Sequence, residues 1–363
     1  MPFIGNKPTA IPLSADDLED NIISTAKIQD NAVTAAKYIE PVPFRNIIIN
    51  GDMSIAQRST SESSYTSDTY STVDRMKTRV GSLGTWTISQ STDVPSGQGF
   101  AKSLKWDCTT ADASPSASDF LILEHKIEGQ NLQYLKYGTS SAETVTLSFW
   151  VKSNKTGTGQ VNLRDYDNNK LLGGTYTISS ANTWEKKTIT YIGNTSDTLD
   201  NDNAVSLALE FWLDSGSDYT GGTAPTAWET RDQTDRNASG TLSLGDNTAN
   251  DWYITGIQLE AGTTASDFEF LPVDRNMSRC QRYYIKLNSE IYGNNNYDGT
   301  NNLQNYYMFR ELMRAGPTIT VGTAHGWSSG PTAASATSDG FRIYGAGNNV
   351  YIDPPGYIAD AEL

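Results

Sequence analysis

The sharpest alternation of apolar and polar residues lies in ETVTLSFWVKS. Val145, Leu147, Phe149 and Val151 fall on one side of an extended chain, and Thr146, Ser148, Trp150 and Lys152 on the other, because successive strand side chains point to opposite faces. A tryptophan in the polar set marks a second face that is not wholly bare. Trp86 and Ile88 share a side of GTWTISQ in the same way. Further short runs follow in VDRMKTRV, KSLKWDC, DFLILEHKIEG, GQVNLRDYD, GGTYTIS, TWEKKTITYI, AVSLALEFWL and DWYITGIQLEAG, parted by Gly, Asn, Asp and Ser turns. Many short strands with no helical period between them predict an all-β antiparallel sandwich. Its start is marked by the apolar burst and Gly-Asp turn of FRNIIINGDMSIAQRS, with renewed alternation through Met53, Ile55 and Gln57. Its end falls near Leu271 to Met277. Beyond it, RYYIKLN, QNYYMFRELM, PTITVGT, GFRIYG and NNVYIDPPGYIADAEL predict a small C-terminal β domain. The expected divisions are therefore 1–45, 46–274 and 275–363.

The first 45 residues have a different texture. At an offset of ten residues Leu13 is followed by Ile23 and Val33, and Leu18 by Ile28 and Tyr38. Each copy has only two strong apolar positions, too few to close a core within one chain. Such repeats need neighbours, either more copies or the same segment of other subunits around an axis. This predicts a slender assembly stalk with Leu13, Leu18, Ile23, Ile28, Val33 and Tyr38 on an intersubunit seam. The competing reading is a linker arm, which Pro2, Pro8, Pro12, Pro41 and Pro43 also suit.

Composition narrows the function. The 363 residues are 37% hydrophobic, with 19 Tyr, 8 Trp and 30 Gly, a balance that leans to strands and turns. A net charge of −15 works against general attraction to nucleic acid or an anionic bilayer. Neither a signal peptide nor a membrane-spanning run is expected. Cys108 and Cys280, the only cysteines, signal neither a disulfide framework nor a four-cysteine zinc site.

NIIINGDMSIAQRS with VDRM, then TLSFWVKS, TWEKKTITYI, ITGIQLEAGTTASDFEFLPV and CQRYYIK occur in an order that resembles tailed-bacteriophage tail fibres and tailspike-like receptor-binding proteins carrying a carbohydrate-binding-module-like jelly roll. The resemblance spans roughly residues 44 to 286, and the stalk repeats are similar to those preceding such domains. It implies an antiparallel jelly-roll sandwich in a homotrimeric virion protein, assembled in the host cytoplasm and placed on the phage tail. Other tail or virion proteins would be met through the N terminus, and a host surface glycan or protein through distal surfaces.

Sugar recognition combines an aromatic plate for a pyranose face with amides or carboxylates for its hydroxyls. In EFWLDSGSDYTGGTAPTAW, Trp212, Asp214, Tyr219 and Trp228 form such a patch if the Gly-rich loop folds back across its strand; otherwise Trp228 merely pins the loop. Trp86, Trp106 and Trp184 are expected in the core. Tyr297, Tyr306, Tyr307 and Tyr344 offer a second adhesive face. DTLDNDN gathers Asp197, Asp200 and Asp202, hard oxygen ligands suited to a structural calcium ion, against the alternative of a solvated acidic turn. No other cofactor is expected. No catalytic residue is assigned: His125 and His325 lie in separate predicted domains outside any nucleophile or metal motif. Glu210 with Asp214 is a conceivable carboxylate pair, expected to be a solvated rim. The sequence reading is thus a noncatalytic fibre subunit for host attachment, with a polysaccharide depolymerase or a purely structural virion decoration as alternatives.

Overall fold

The structure, a computed structural model, describes residues 44–293 and 302–363. The six proposed seam residues, Leu13, Leu18, Ile23, Ile28, Val33 and Tyr38, lie outside the described residues, as does Tyr297. From Pro43 to Leu363 the chain clusters as one compact unit. Its body comprises β1 (Ser61–Tyr65), β2 (Asp68–Tyr70), β3 (Lys77–Gly81), β4 (Thr85–Ser91), β5 (Ser103–Thr110), β6 (Phe120–Glu128), β7 (Val145–Ser153), β8 (Gly157–Asp165), β9 (Lys170–Ile178), β10 (Glu185–Tyr191), β11 (Val205–Ser215), β12 (Glu229–Thr230) and β13 (Asp251–Ala261).

These strands form two antiparallel sheets. The first runs β1-β4-β5-β13-β7-β10 and the second β12-β9-β8-β11-β6-β3-β2. The chain passes from one sheet to the other between β1 and β2, and again at β3–β4, β5–β6, β6–β7, β7–β8, β9–β10, β10–β11 and β12–β13. That repeated crossing is the winding of a jelly roll. Val145, Leu147, Phe149 and Val151 of β7 are fully buried. Across the sandwich the Phe149 ring meets Tyr176 of β9 and Phe211 of β11, each at 5.1 Å. Trp86 and Trp106 also lie in this core, edge to face at 5.9 Å. Trp184 does not. It stands half-buried outside the first sheet, donating its Nε1–H to Asp93 at 2.9 Å.

Residues 44–60 contradict the strand-like alternation seen there. Ile47, Ile48, Met53 and Ile55 are buried, but the segment is irregular. Asn side chains replace the missing ladder. Asn46 Oδ1 accepts from the Ile48 and Leu259 amides at 3.0 and 3.1 Å, and Asn50 binds both main-chain groups of Ile55 at 2.9 Å. These bonds satisfy buried main-chain groups that would otherwise be costly. Gly51 is obligatory, since a Cβ there would sit 2.0 Å from the Ile257 carbonyl oxygen.

The same segment holds His125 neutral. Its Nε2 accepts from the Ile49 amide at 3.4 Å. Burial, aided by Arg75 and Arg279, pushes its pKa well below the ordinary 6.5. In the unfolded chain His125 takes a proton below about pH 6.5 that the folded chain refuses, so its contribution is present above that pH and lost as pH falls. Relative to His125→Gln, the parent should lose roughly 2 kcal/mol of unfolding free energy between pH 7.5 and 5. Asp74 and Asp214, both raised to about 6 by burial, act oppositely but cancel in this difference. Denaturant titrations at the two pH values measure it, and a pH-independent difference would refute a buried neutral imidazole.

After the sandwich comes a helix, α1 (Val273–Gln281), where only a domain junction was expected. Then follow β14 (Tyr284–Leu287), β15 (Ile291–Gly293), β16 (Asn302–Met308), β17 (Thr318–Val321), β18 (Ala324–Ala334), β19 (Gly340–Ile352) and β20 (Tyr357–Asp360). β14 and β17 flank β20, while β15, β16 and β18 all pair with β19. This part has its own apolar cluster around Phe341, Ile343 and Ile352. Polar and aromatic contacts tie it to the sandwich. Arg75, fully buried, pairs with Glu362 and lies 3.6 Å from the Tyr283 ring centre. Arg282 grips both oxygens of Glu128 at 2.9 and 2.7 Å.

Candidate functional site

The loop after β11 does fold back across its strand, but the result is a seal and not an open patch. Trp212 points away from the core on the outer face of the second sheet, yet it is fully buried. The Tyr219 ring lies 4.9 Å from it and the Arg236 guanidinium 4.6 Å, so the loop itself occupies the space a sugar would need. Tyr219 is buried too, its hydroxyl donating to the Ser118 carbonyl at 3.2 Å. Asp214 accepts from the amides of Ser215 and Gly245, both at 2.8 Å, and burial raises its pKa to about 6. Trp228 is elsewhere, donating to the Ile192 carbonyl at 2.8 Å with its ring against Tyr137. The four residues therefore do not converge on solvent.

Nor is Glu210 part of a solvated rim. It is wholly buried, with Arg236 Nη2 3.0 Å from both carboxylate oxygens and Arg164 at 3.4 Å. Burial alone would raise its pKa, but Arg236, Arg164 and Arg79 prevail and hold it at about 2.

Asp197, Asp200 and Asp202 do not converge either. Asp197 accepts from the Asn194 amide group at 3.1 Å and Asp202 from the Ala204 main chain at 2.9 Å, while the Asp200 amide is bound by Asp167. Asp202 thereby closes an Asx turn, and Asp197 braces the Asn194 side chain. Among the described residues no three His, Cys, Asp or Glu side chains gather as a metal site. Cys108 and Cys280 are both free and buried.

An open site lies on the opposite side, on the outer face of the first sheet. There Ser148, Trp150 and Lys152 of β7 project outward beside Lys186 of β10 and Thr255 of β13. A bulge in β13 follows Thr255. Gly256 takes φ +64° there, and a Cβ would come within 2.6 Å of Phe100. This close approach seats a triangle of rings, Phe100, Phe268 and Phe270, with centres 4.9–5.0 Å apart. The rings wall a cleft of about 360 Å³ with Trp150, Gln98, Ser148, Lys186 and Asp267. Phe270 remains 48% exposed and Trp150 half-buried. Farther along the same face the Lys152 ammonium lies 4.3 Å from the Tyr253 ring centre, near Trp184. Half-exposed rings beside amide, hydroxyl, amine and carboxylate groups make a surface for a polyhydroxylated ligand with apolar faces. Trp150 in the polar register of β7 was the one sequence sign of it; Phe100 and Phe270 arrive from loops and carried none.

The C-terminal sheet carries a second aromatic face. Tyr292, Tyr351 and His325 stand in one row across β15, β19 and β18, with His325 stacked 4.6 Å from Tyr351. Tyr306 is 53% exposed. Tyr307, expected on this face, turns inward onto Phe341 at 5.6 Å.

Among solved structures, the chain is similar to the enzymatically active domain of tailspike protein 4 of bacteriophage CBA120, with 12% identity and a TM-score of 0.33 over 61% of this chain and 22% of that one. It is also similar to TmCBM61 in complex with β-1,4-galactotriose, with 11% identity and a TM-score of 0.30 over 60% of this chain and 99% of that one. A third is the family 11 carbohydrate-binding module from Clostridium thermocellum in complex with a β-1,3-1,4-mixed-linked tetrasaccharide, with 12% identity and a TM-score of 0.26 over 53% and 91%. The chain thus spans about a fifth of the length of the tailspike chain. No family model and no curated protein matches it. Its strand order alone makes the fold a jelly roll. No helix among the described residues is long and apolar enough to cross a membrane.

Proposed function

We propose that this chain is a noncatalytic glycan-recognition protein, and that its sugar site is the Trp150 cleft on the outer face of the first sheet. The observation that carries this reading is the partly exposed ring set of Trp150, Phe268 and Phe270 beside Gln98, Lys186 and Asp267 in one cleft. The ten-residue N-terminal repeat supports a finer reading, an oligomeric phage fibre or tailspike-like subunit that attaches to a host surface. In it several weak sites act together, and linkage of copies raises avidity without new contacts.

Trp150→Ala is expected to weaken binding to a host surface polysaccharide at least about tenfold, the scale of a lost stacking ring, while unfolding temperature changes little because the ring is half outside. Affinity electrophoresis of parent and variant checks this, and equal retardation of the two would remove the cleft from consideration. The same incubations report on chemistry. Newly released reducing ends would favour the depolymerase reading over the noncatalytic one. Comparing the parent with a chain lacking residues 1–45 separates single-site affinity from avidity.

A further inference from the structure

A second cleft, of about 350 Å³, opens where the Ile47–Ile49 segment, the end of β6, the turns at Gly129–Leu135 and helix α1 meet. It shares no lining residue with the Trp150 cleft. Its walls are aliphatic and aromatic, with Ile127 on one side and Tyr134, 49% exposed, on another. Gln130 and Asn131 bring side-chain amides to its edge. Among the described residues lining it, none is acidic, whereas Lys126, Arg279 and Arg282 all reach it. In a chain of net charge −15 that is an unusual concentration of positive charge.

The three cations are not equivalent. Arg282 is neutralised by Glu128, and the Lys126 ammonium donates to the Leu363 main-chain oxygen at 3.1 Å. Arg279 makes one hydrogen bond among the described residues, from Nη2 to the Asn46 carbonyl at 3.2 Å, and no ion pair. The acid that bears on it, Glu269, is engaged with the amides of Phe44 and Asn46. Four other guanidinium groups set into this protein face carboxylates, Arg58 with Asp360, Arg75 with Glu362, Arg79 with Asp68 and Arg236 with Glu210, while Arg314 is met by three main-chain carbonyls where Arg279 has one. Withdrawing a cation from water without a counter-charge is costly, and burial accordingly pulls Arg279 below its ordinary pKa. An anion entering the cleft would supply the missing partner.

We infer that this cleft binds a small carboxylate-bearing ligand of the acidic-sugar class, a uronic acid or the uronate unit of a polysaccharide. Arg279 takes the carboxylate through its free fork edge. Gln130 and Asn131 bond ring hydroxyls, and the Tyr134 ring covers an apolar sugar face. The volume suits one pyranose and falls at the small end for ligand pockets. The assignment stands independently of the Trp150 cleft.

The test is calorimetric or ligand-observed NMR titration of the whole chain with glucuronate and galacturonate, against glucose, galactose and inorganic sulfate. Uronates should bind at least about tenfold tighter than the neutral sugars, the scale of one charge-assisted bidentate contact. Arg279→Met should abolish that preference, and Arg279→Lys, which keeps the charge but not the fork, should retain part of it. Tyr134→Ala changes an exposed wall and serves if the Arg279 variants misfold; it should weaken uronate binding several-fold without altering sulfate binding. A polyuronate binding no better than the free monosaccharide would point to the free sugar, and tighter binding to the polymer. Equal affinity for uronate and neutral sugar, or sulfate binding as tightly as uronate, would overturn the acidic-sugar assignment. So would parent-like uronate selectivity in folded Arg279→Met.

Discussion

Glu210→Ala is expected to destabilise the protein by about 3–5 kcal/mol, the usual cost of leaving a buried charge without its partner. Two arginines pair with this one carboxylate, and a third adds to its field. Arg236 holds both oxygens at 3.0 Å, Arg164 reaches one at 3.4 Å, and Arg79 is close enough to help depress its pKa. Glu124, the cross-strand neighbour of Glu210, already serves Arg79 and the Tyr166 hydroxyl and cannot take over. The acid titration gives a second route to the magnitude. A carboxyl held at about 2 in the fold and 4.5 when free contributes roughly 3 kcal/mol above pH 4.5. That contribution is lost as pH falls from 4.5 towards 2. Urea unfolding of parent and variant at neutral pH measures the loss, and a change under about 1 kcal/mol would show that the pair does not anchor the loop. Glu210→Leu combined with Arg236→Leu should recover part of the loss, since replacing both members strands neither.

Arg75→Met should cost a similar amount, about 3–5 kcal/mol, but with a different distribution. Arg75 is completely buried, pairs with Glu362, donates to the Lys126 carbonyl at 2.6 Å and stacks on Tyr283. Methionine fills much of the volume and restores none of these bonds. Among the described residues Glu362 would keep one ion-pair partner, Arg58 at 3.3 Å. Because the lost contacts join the C-terminal segment to the sandwich, amide exchange should accelerate first in β14, β17 and β20 and leave β7 and β11 close to the parent. Uniform acceleration across both sheets would contradict a role confined to that junction.

Both sites sit where sequence reading was weakest. In AVSLALEFWL the alternation of Leu207, Leu209 and Phe211 with Ala208, Glu210 and Trp212 is plain, and the first set is indeed in the core. Glu210 and Trp212 read as solvent-facing because nothing in their own strand shows that a distant loop brings Arg236 and Tyr219 onto them. Helix α1 is hard to read because it runs only 9 residues, too short a window for the i, i+4, i+7 spacing of Val273, Met277 and Cys280 to stand out as a period. Tertiary contact buries Cys280 against Tyr283 and Ile49 instead.

The sequence alone determined the strands and their inward faces, since a period of two is a local property that each short run expresses within its own residues. It thereby determined the all-β antiparallel class, and it placed Trp150 on an outer face. Only the tertiary structure decided which outer faces are covered. Coverage depends on where residues 216–250, the Phe268–Phe270 segment and α1 come to rest, and those positions are set by ion pairs and ring contacts between residues far apart in the chain. The patch around Trp212 was closed and the clefts at Trp150 and Arg279 were left open for that reason.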